Sequence, residues 1–385
     1  MELYSFYFPT HIIFGAGALT ELPNALKKSG CRHPLVVTDP GLVNTQVAER
    51  LKYVLNSAGI ECRIFFDLKS NPDATSVEEG IEAYKKANAD GIIGFGGGSA
   101  IDISKAIRLM VTHPGHILDY DESTGGCERI KPKMPWMVAI PTTSGTGSEV
   151  GRSAVVSDPK SKVKKTIFSP YLMPPEVIAD PALTLELPPK LTAATGADAL
   201  SHCIEAYLST SYHPLCDSVA LGGIKLIGRS LAEAVHHGSS LTARSDMMMA
   251  AMMGAVAFQK GLGVTHSLAH PLSTLKDVHH GLANGIMLPH AMKFNLEGAE
   301  SKLADVAVAL GAKPVGSKEE LAEEAVQIVK SLMKNIGIPQ KLKEAGVTEE
   351  LVEPLADLAI HDGCHSLNPR PCTREDFVRL YHGAL

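Results

Sequence analysis

Residues 91–110, GIIGFGGGSAIDISKAIRLM, pass from an apolar β-rich run through a glycine run into a helical pattern that opens near Ser99. A strand that ends in glycines and turns straight into a helix is half of a parallel βαβ unit. The glycines let backbone N–H groups approach an anion, and the positive end of a helix favours negative charge there. Many such turns carry glycine without any ligand, so this loop by itself leaves a plain turn and a phosphate cradle both open.

On either side, the runs PLVVT (34–38), CRIFF (62–66), WMVAI (136–140) and VIAD (177–180) repeat the strand pattern, with helical patterns at 43–58 and 76–89. YSFYF and HIIFG, joined through Pro9 and Thr10, predict an N-terminal hairpin. After LPPKL (187–191) strand signal almost vanishes, and helical patterns follow at 192–209, 214–236, 242–260, 301–310, 317–335 and 348–361. Thr373 with Asp376 three residues on predicts a capped C-terminal helix. A chain of 385 residues exceeds what one core usually organises. The expected architecture is an α/β nucleotide-binding domain over 1–186 and an all-α domain over 187–385.

Composition excludes several roles. The net charge of −6 offers no basic face for nucleic acid. The seven cysteines are scattered without Cys-x-x-Cys spacing, which argues against a disulfide framework or thiolate zinc site and for a reducing cytoplasm. The N-terminus lacks the basic start and apolar block of a signal peptide. The most apolar run, MMMAAMMGAVAF (247–258), is too short to span a bilayer and reads as a buried helix filled by methionines, so no membrane partner is expected.

A second loop, WMVAIPTTSGTGSEV (136–150), follows another strand and carries the hydroxyls of Thr142, Thr143, Ser144, Thr146 and Ser148. Those hydroxyls can simply bond their own backbone. Two such loops at the carboxyl ends of strands in one sheet point to a phosphate-bearing ligand. The usual dinucleotide fingerprint puts an acid about twenty residues after the glycines. Here the acid, Asp39, precedes them. It reads either as a ribose acceptor or as a turn-former before Pro40.

Of the chain's 16 histidines, four lie in THSLAHPLSTLKDVHHG (265–281). Asp198 and His202 are four residues apart, on one helical face, and His266 and His270 repeat that spacing. Pro271 predicts a break or kink at His270. His279 and His280 stand at the start of the next helix. A lone histidine is more often a core or surface residue than a ligand. A carboxylate among several imidazoles, without thiolate, instead suits Fe²⁺, Zn²⁺, Co²⁺ or Mn²⁺. Spacing does not choose among the four histidines, although helix geometry favours the pair His266 and His270. His290 reads as structural.

These segments together resemble the iron-containing alcohol dehydrogenase family. HIIFGAGA, GGGSAIDISKA, PTTSGTGSEV, GADALSHCIEAYLS, THSLAHPLSTLKDVHHGLANGIMLPH and NPRPCT carry the likeness along essentially the whole chain. The resemblance implies the dehydroquinate synthase-like architecture, an α/β domain followed by a helical one, with the active site in the cleft between. It implies Asp198, His202, His266 and His280 as metal ligands and His270 as a catalytic residue near the nicotinamide, with His279 a bystander. The pyrophosphate would sit on Gly96, Gly97, Gly98 and Ser99, with Asp102 just beyond. Thr142, Thr143, Thr146, Asn71 and Lys164 would contact the cofactor, and Asp39 would favour NAD over NADP. Ser273 replaces a common glycine.

The function implied is hydride transfer between NAD(H) and a small primary alcohol, diol or aldehyde at Fe²⁺, with Zn²⁺ as the other candidate ion. Residues near 149–153, 257–263 and 361–364, among them Gly151, Leu262 and Cys364, would wall an apolar pocket. A cytoplasmic homodimer or larger assembly is expected. The alternatives are a non-redox metal-dependent synthase or hydrolase on the same scaffold, and a metal-binding helical protein without catalysis.

Overall fold

The computed structural model describes residues 6–7, 10–68, 73–160 and 163–385, and these form two compact units. One holds residues 10–143 and 148–186; the other holds Leu187–Leu385 with Ser144–Gly147, Phe6 and Tyr7.

The first unit runs β1 (His11–Phe14), α1 (Leu22–Ser29), β2 (Pro34–Thr38), α2 (Gln46–Ser57), β3 (Arg63–Phe65), α3 (Ala74–Lys86), β4 (Gly91–Gly96), α4 (Gly98–Met110), β5 (Trp136–Pro141), β6 (Ser153–Ser157), β7 (Lys164–Phe168) and β8 (Glu176–Ala179). Six strands form a parallel sheet in the order β1-β8-β5-β4-β2-β3, while β6 and β7 pair antiparallel. Strand residues alternate between two cores. Leu35, Val37, Ile92, Met137 and Ala139 pack with Val77, Ile103 and Ile107 of α3 and α4. Val36, Ile93, Phe95, Val138 and Ile140 pack with Leu22, Leu26, Leu51 and Leu55 of α1 and α2. Helices on both faces explain why these strands read as continuous apolar runs rather than alternating ones.

The strand order reverses at β2. The chain goes from β2 outward to β3, then returns to place β4 on the other side of β2. Ligands of open α/β sheets bind beyond the carboxyl ends of the strands at such a reversal. Here those ends are Thr38-Asp39 and Gly96-Gly97.

The second unit is helical: α5 (Pro189–Leu208), α6 (Pro214–His236), α7 (Leu241–Ala257), α8 (Val264–Lys276), α9 (His280–Phe294), α10 (Leu296–Ala309), α11 (Lys318–Asn335), α12 (Val352–Ala359) and α13 (Arg374–Ala384). Its core draws on all of them. The Thr373–Asp376 capping box opens α13 as its sequence predicts. No single described helix is long and apolar enough to cross a membrane. The stretches Leu241–Lys260 and Val264–Lys276 pass on composition only as a pair, and they bend by 107°.

The expected pairing of YSFYF with HIIFG lies largely outside the described residues; HIIFG supplies β1, which pairs parallel to β8, with Ile12 opposite Val177 and Ile13 opposite Ile178. Two points depart from expectation. The β6–β7 hairpin was not anticipated, because its polar, half-buried strands carry little apolar signal. Finally, α8 does not end at Pro271. Leu268, Ala269 and Leu272 are wholly buried, and their packing outweighs the local bias against helix before proline.

Candidate metal centre and cofactor loop

Helix α5 turns one stripe of polar side chains inward, with Asp198, His202 and Glu205 at i, i+4 and i+7. They are only 3%, 5% and 3% exposed. Buried polar groups of this kind persist only where they find partners. Helix α8 supplies His266, 1% exposed, and His280 is the first residue of α9. The backbones of α9 and α5 approach so closely that a Cβ on Gly281 would lie 2.2 Å from the carbonyl oxygen of Ala194. Glycine at that position lets His280 reach Asp198.

One ligand atom from each of Asp198, His202, His266 and His280 lies within 4.8 Å of all the others. Asp198 Oδ1 is 3.8 Å from His202 Nε2, 3.8 Å from His266 Nε2 and 3.4 Å from His280 Nε2. Burial alone would raise the Asp198 carboxyl, but the three imidazoles and the Asn284 amide hold it at about 2. Burial pushes His202 down to about 4, so its ring is neutral at pH 7. His266 Nδ1 lies 2.5 Å from Glu205 Oε2, a pairing that in the neutral ring turns the lone pair of Nε2 toward the cluster. An ionised carboxylate and lone-pair nitrogens crowded around one point repel each other unless a cation sits among them. The residues therefore fit a divalent ion of intermediate hardness.

Asn284, buried one turn beyond His280, donates Nδ2 to Asp198 Oδ1 at 2.7 Å and lies 3.2 Å from both His266 Nε2 and His280 Nε2. Carboxylate and amide groups in this outer position fix the orientation of metal ligands.

His270 stands one turn after His266 but outside the cluster of four. Its Nδ1 is 2.7 Å from Asp362 Oδ2, and its ring stacks on His280 with centroids 5.3 Å apart. Asp362 also accepts from Ser267 Oγ and the Cys364 N–H. Against the effect of burial, these bonds hold its carboxyl well below the usual range. His270, Asp362 and Cys364 form a second compact trio. Burial and the Asp362 charge push the Cys364 thiol far up, so the trio lacks a thiolate and serves instead to hold His270. His279 is the exposed N-cap of α9, and His290 lies on that helix with its pKa lowered, chiefly by burial. Ser273 Oγ donates to the Val278 carbonyl and closes the turn between α8 and α9.

In the first unit, Gly96 ends β4, Gly97 is the N-cap of α4, and Gly98 and Ser99 begin the helix. No side chain caps α4, which leaves its first turn suited to an anion. Asp39 Oδ2 accepts the Gly97 N–H at 3.1 Å, tying the end of β2 to this loop. Thr142 N donates to Gly96 O, and Thr143 faces Gly97. Asp102 is turned elsewhere: it accepts from Ser148 Oγ and from Val155 N at 3.0 Å, with Lys105 Nζ 3.7 Å away. Its direct contacts brace the segment after the second loop. Thr146 belongs to the helical unit and Lys164 begins β7. Asn71 lies outside the described residues.

Glu205, Asn284 and Asp362 escaped the sequence reading. A signal existed for two of them: Glu205 continues the Asp198–His202 stripe by three residues, and Asn284 follows His280 by four. Asp362, distant in sequence, gave none.

The description "Iron-containing alcohol dehydrogenase" matches residues 9–181, and "Fe-containing alcohol dehydrogenase family, C-terminal" matches 192–385. The chain is 37% identical over 379 residues to 4-hydroxybutyrate dehydrogenase of Cupriavidus necator, covering 97% of this chain and 98% of that one. It is 38% identical over 383 residues to NAD-dependent methanol dehydrogenase of Bacillus methanolicus, covering 99% and 100%. Its fold superposes on a crystal structure of 1,3-propanediol oxidoreductase with a TM-score of 0.96, at 36% identity and full coverage of both chains.

Proposed function

The chain belongs to the iron-containing alcohol dehydrogenase family and interconverts alcohols and carbonyl compounds, and we propose that it does so with NAD(H) and one Fe²⁺ held by Asp198, His202, His266 and His280. The convergence of those four side chains carries the reading. Zn²⁺ fits the same donors and is the competing ion. Small primary alcohols, diols and their aldehydes are the proposed substrates, in keeping with relatives named for 4-hydroxybutyrate, methanol and 1,3-propanediol. The synthase, hydrolase and non-catalytic alternatives find no support in these likenesses.

When bound, the cation supplies Lewis-acid polarisation of the substrate oxygen, and the nicotinamide supplies the hydride acceptor. The remaining work belongs to the chain. Asp198 and three imidazoles leave a divalent site with one net positive charge. His270, its Nδ1 held by Asp362, presents its other nitrogen for proton relay, the task for which imidazole is suited near neutral pH. The uncapped start of α4, with Gly96, Gly97, Gly98 and Ser99, receives the pyrophosphate. Thr142, Thr143, Thr146, Asn71 and Lys164 contact the cofactor. Asp39 accepts from the ribose and repels a 2′-phosphate. Asp102 acts through the loop it braces.

The seven cysteines are free, which supports a reducing, cytoplasmic setting. A homodimer or larger homo-oligomer is the proposed assembly. Incubating the metal-loaded protein with NAD and a panel of alcohols tests the function. Net NADH formation matched by carbonyl product is expected; no redox turnover with any alcohol or aldehyde would refute it.

A further inference from the structure

Helix α8 begins at a glycine with no side chain of its own to cap it. Its first three N–H groups nevertheless find acceptors. Val264 N donates to Asn368 Oδ1 at 3.2 Å, Thr265 N to Glu205 Oε1 at 2.5 Å, and His266 N to Glu205 Oε2 at 3.3 Å. A Cβ on Gly263 would lie 2.9 Å from both Glu205 Oε1 and Asn368 Oδ1, so glycine there makes room for borrowed caps. The backbone at Gly263 is ordinary extended chain, with φ of −152°, and the requirement is one of space.

The same carboxylate oxygen that accepts the His266 backbone N–H also accepts a hydrogen bond from its ring. His266 Nδ1 lies 2.5 Å from Glu205 Oε2, with Glu205 itself 3% exposed. A carboxylate only accepts, so Nδ1 carries a proton, and in the neutral ring the lone pair then falls on Nε2, the nitrogen that faces Asp198. Either ring nitrogen can carry the proton in a neutral imidazole, and the partner of one decides the state of the other.

We propose that Glu205 is a positioning residue that fixes His266 in its metal-binding tautomer while starting the helix that carries it. This rests on the proposed function only in naming the ligand set. One group sets both backbone and ring, so the ligand is formed before any ion arrives, and folding of α8 and assembly of the site are one event. The substitution that separates this role from capping alone is Glu205→Gln. With its amide oxygen in the place of Oε1 it still accepts the Thr265 N–H, but its NH₂, in the place of Oε2, gives up the His266 backbone N–H, faces His266 Nδ1 as a donor and drives the ring proton to Nε2.

The test begins with metal-free full-length protein and the ¹⁵N resonances of His266. At a pH high enough to make the ring neutral, the wild type should show protonated Nδ1 and bare Nε2, and Glu205→Gln the reverse. Zn²⁺ affinity, read by competition with a chromophoric chelator, should fall by about 10- to 100-fold in Glu205→Gln, the range for losing a ligand's outer partner. In Asn368→Ala, which removes the Val264 acceptor along with bonds to Asn295 and Arg370 but leaves Glu205 on His266, the melting temperature should drop while Zn²⁺ affinity stays within threefold. Protonated Nε2 in the metal-free wild type, or equal Zn²⁺ affinity in wild type and Glu205→Gln, overturns the proposal. If the wild type binds no metal, the function proposed above fails, and the resonances still decide this inference.

Discussion

His270 and Asp362 are joined by a 2.7 Å contact between Nδ1 and Oδ2, across 92 residues of sequence, and the imidazole so held lies flat against His280. In the proposed function the pair is a proton carrier of fixed orientation beside the four proposed ligands, outside their cluster. His270→Gln should lower kcat by about 10²-fold, within the range for general acid–base groups, and leave metal content unchanged. Asp362→Ala should lower it less, because the imidazole remains but wanders. Steady-state kinetics with metal analysis checks both, and an unimpaired His270→Gln enzyme removes the relay role.

Among the proposed ligands, His280 gives the cleanest test. Its side chain is 25% exposed, whereas removing His266 would strand the buried Glu205 carboxylate without its partner. His280→Ala should lose bound metal and turnover while keeping NAD affinity and the melting temperature of the metal-free wild type. Metal retained at wild-type stoichiometry would strike His280 from the ligand set.

Asp39 has one observed bond, to the Gly97 N–H, and one proposed task, cofactor choice, which substitutions can separate. Asp39→Asn keeps an oxygen for the Gly97 N–H but loses the charge that repels a 2′-phosphate. It should therefore raise kcat/KM with NADP relative to NAD at little cost in NAD affinity. Asp39→Gly should relax the preference as well and also weaken NAD binding, since the loop loses its tie to β2. The kcat/KM ratio for the two cofactors, with NAD dissociation constants, decides; a wild-type ratio in both variants would end the specificity role.

Glu149 links stability to pH. Burial raises its carboxyl from the ordinary 4.5 to about 7, with Lys105 opposing and Asp102 adding to the rise. The unfolded chain releases this proton near 4.5 and the folded protein near 7, so stability from this group falls as pH climbs between the two and levels off above. In urea unfolding, Glu149→Gln should gain on the wild type as pH rises through that window. Parallel curves for the two proteins would contradict the assignment.

Much of this was legible because period and composition carry it. The parallel sheet followed from apolar runs set between helical patterns, and the helical unit from the loss of strand signal after residue 187. The glycine loop announced itself, as did the His–Asp spacing on α5. Choosing His280 over His270 was not legible from spacing: His270 shares a helical face with His266, but the approach of α9 to α5 at Gly281 is a tertiary fact. The continuation of α8 through Pro271 depends on packing that no local rule contains. Asp362 reaches His270 only through the fold. The bracing roles of Asp39 and Asp102 were invisible for the same reason, since their partners, Gly97, Ser148 and Val155, lie 58, 46 and 53 residues away.

The central claim is that one cation bound by four side chains makes this chain an alcohol dehydrogenase. The most direct measurement strips the metal with a chelator, restores Fe²⁺ stepwise under anaerobic conditions, and records NADH formation from an alcohol together with iron bound. Activity should rise in proportion to bound iron, saturate at one ion per chain, and stay absent in His280→Ala. Full turnover by verified metal-free protein, or equal recovery by His280→Ala, would contradict the account.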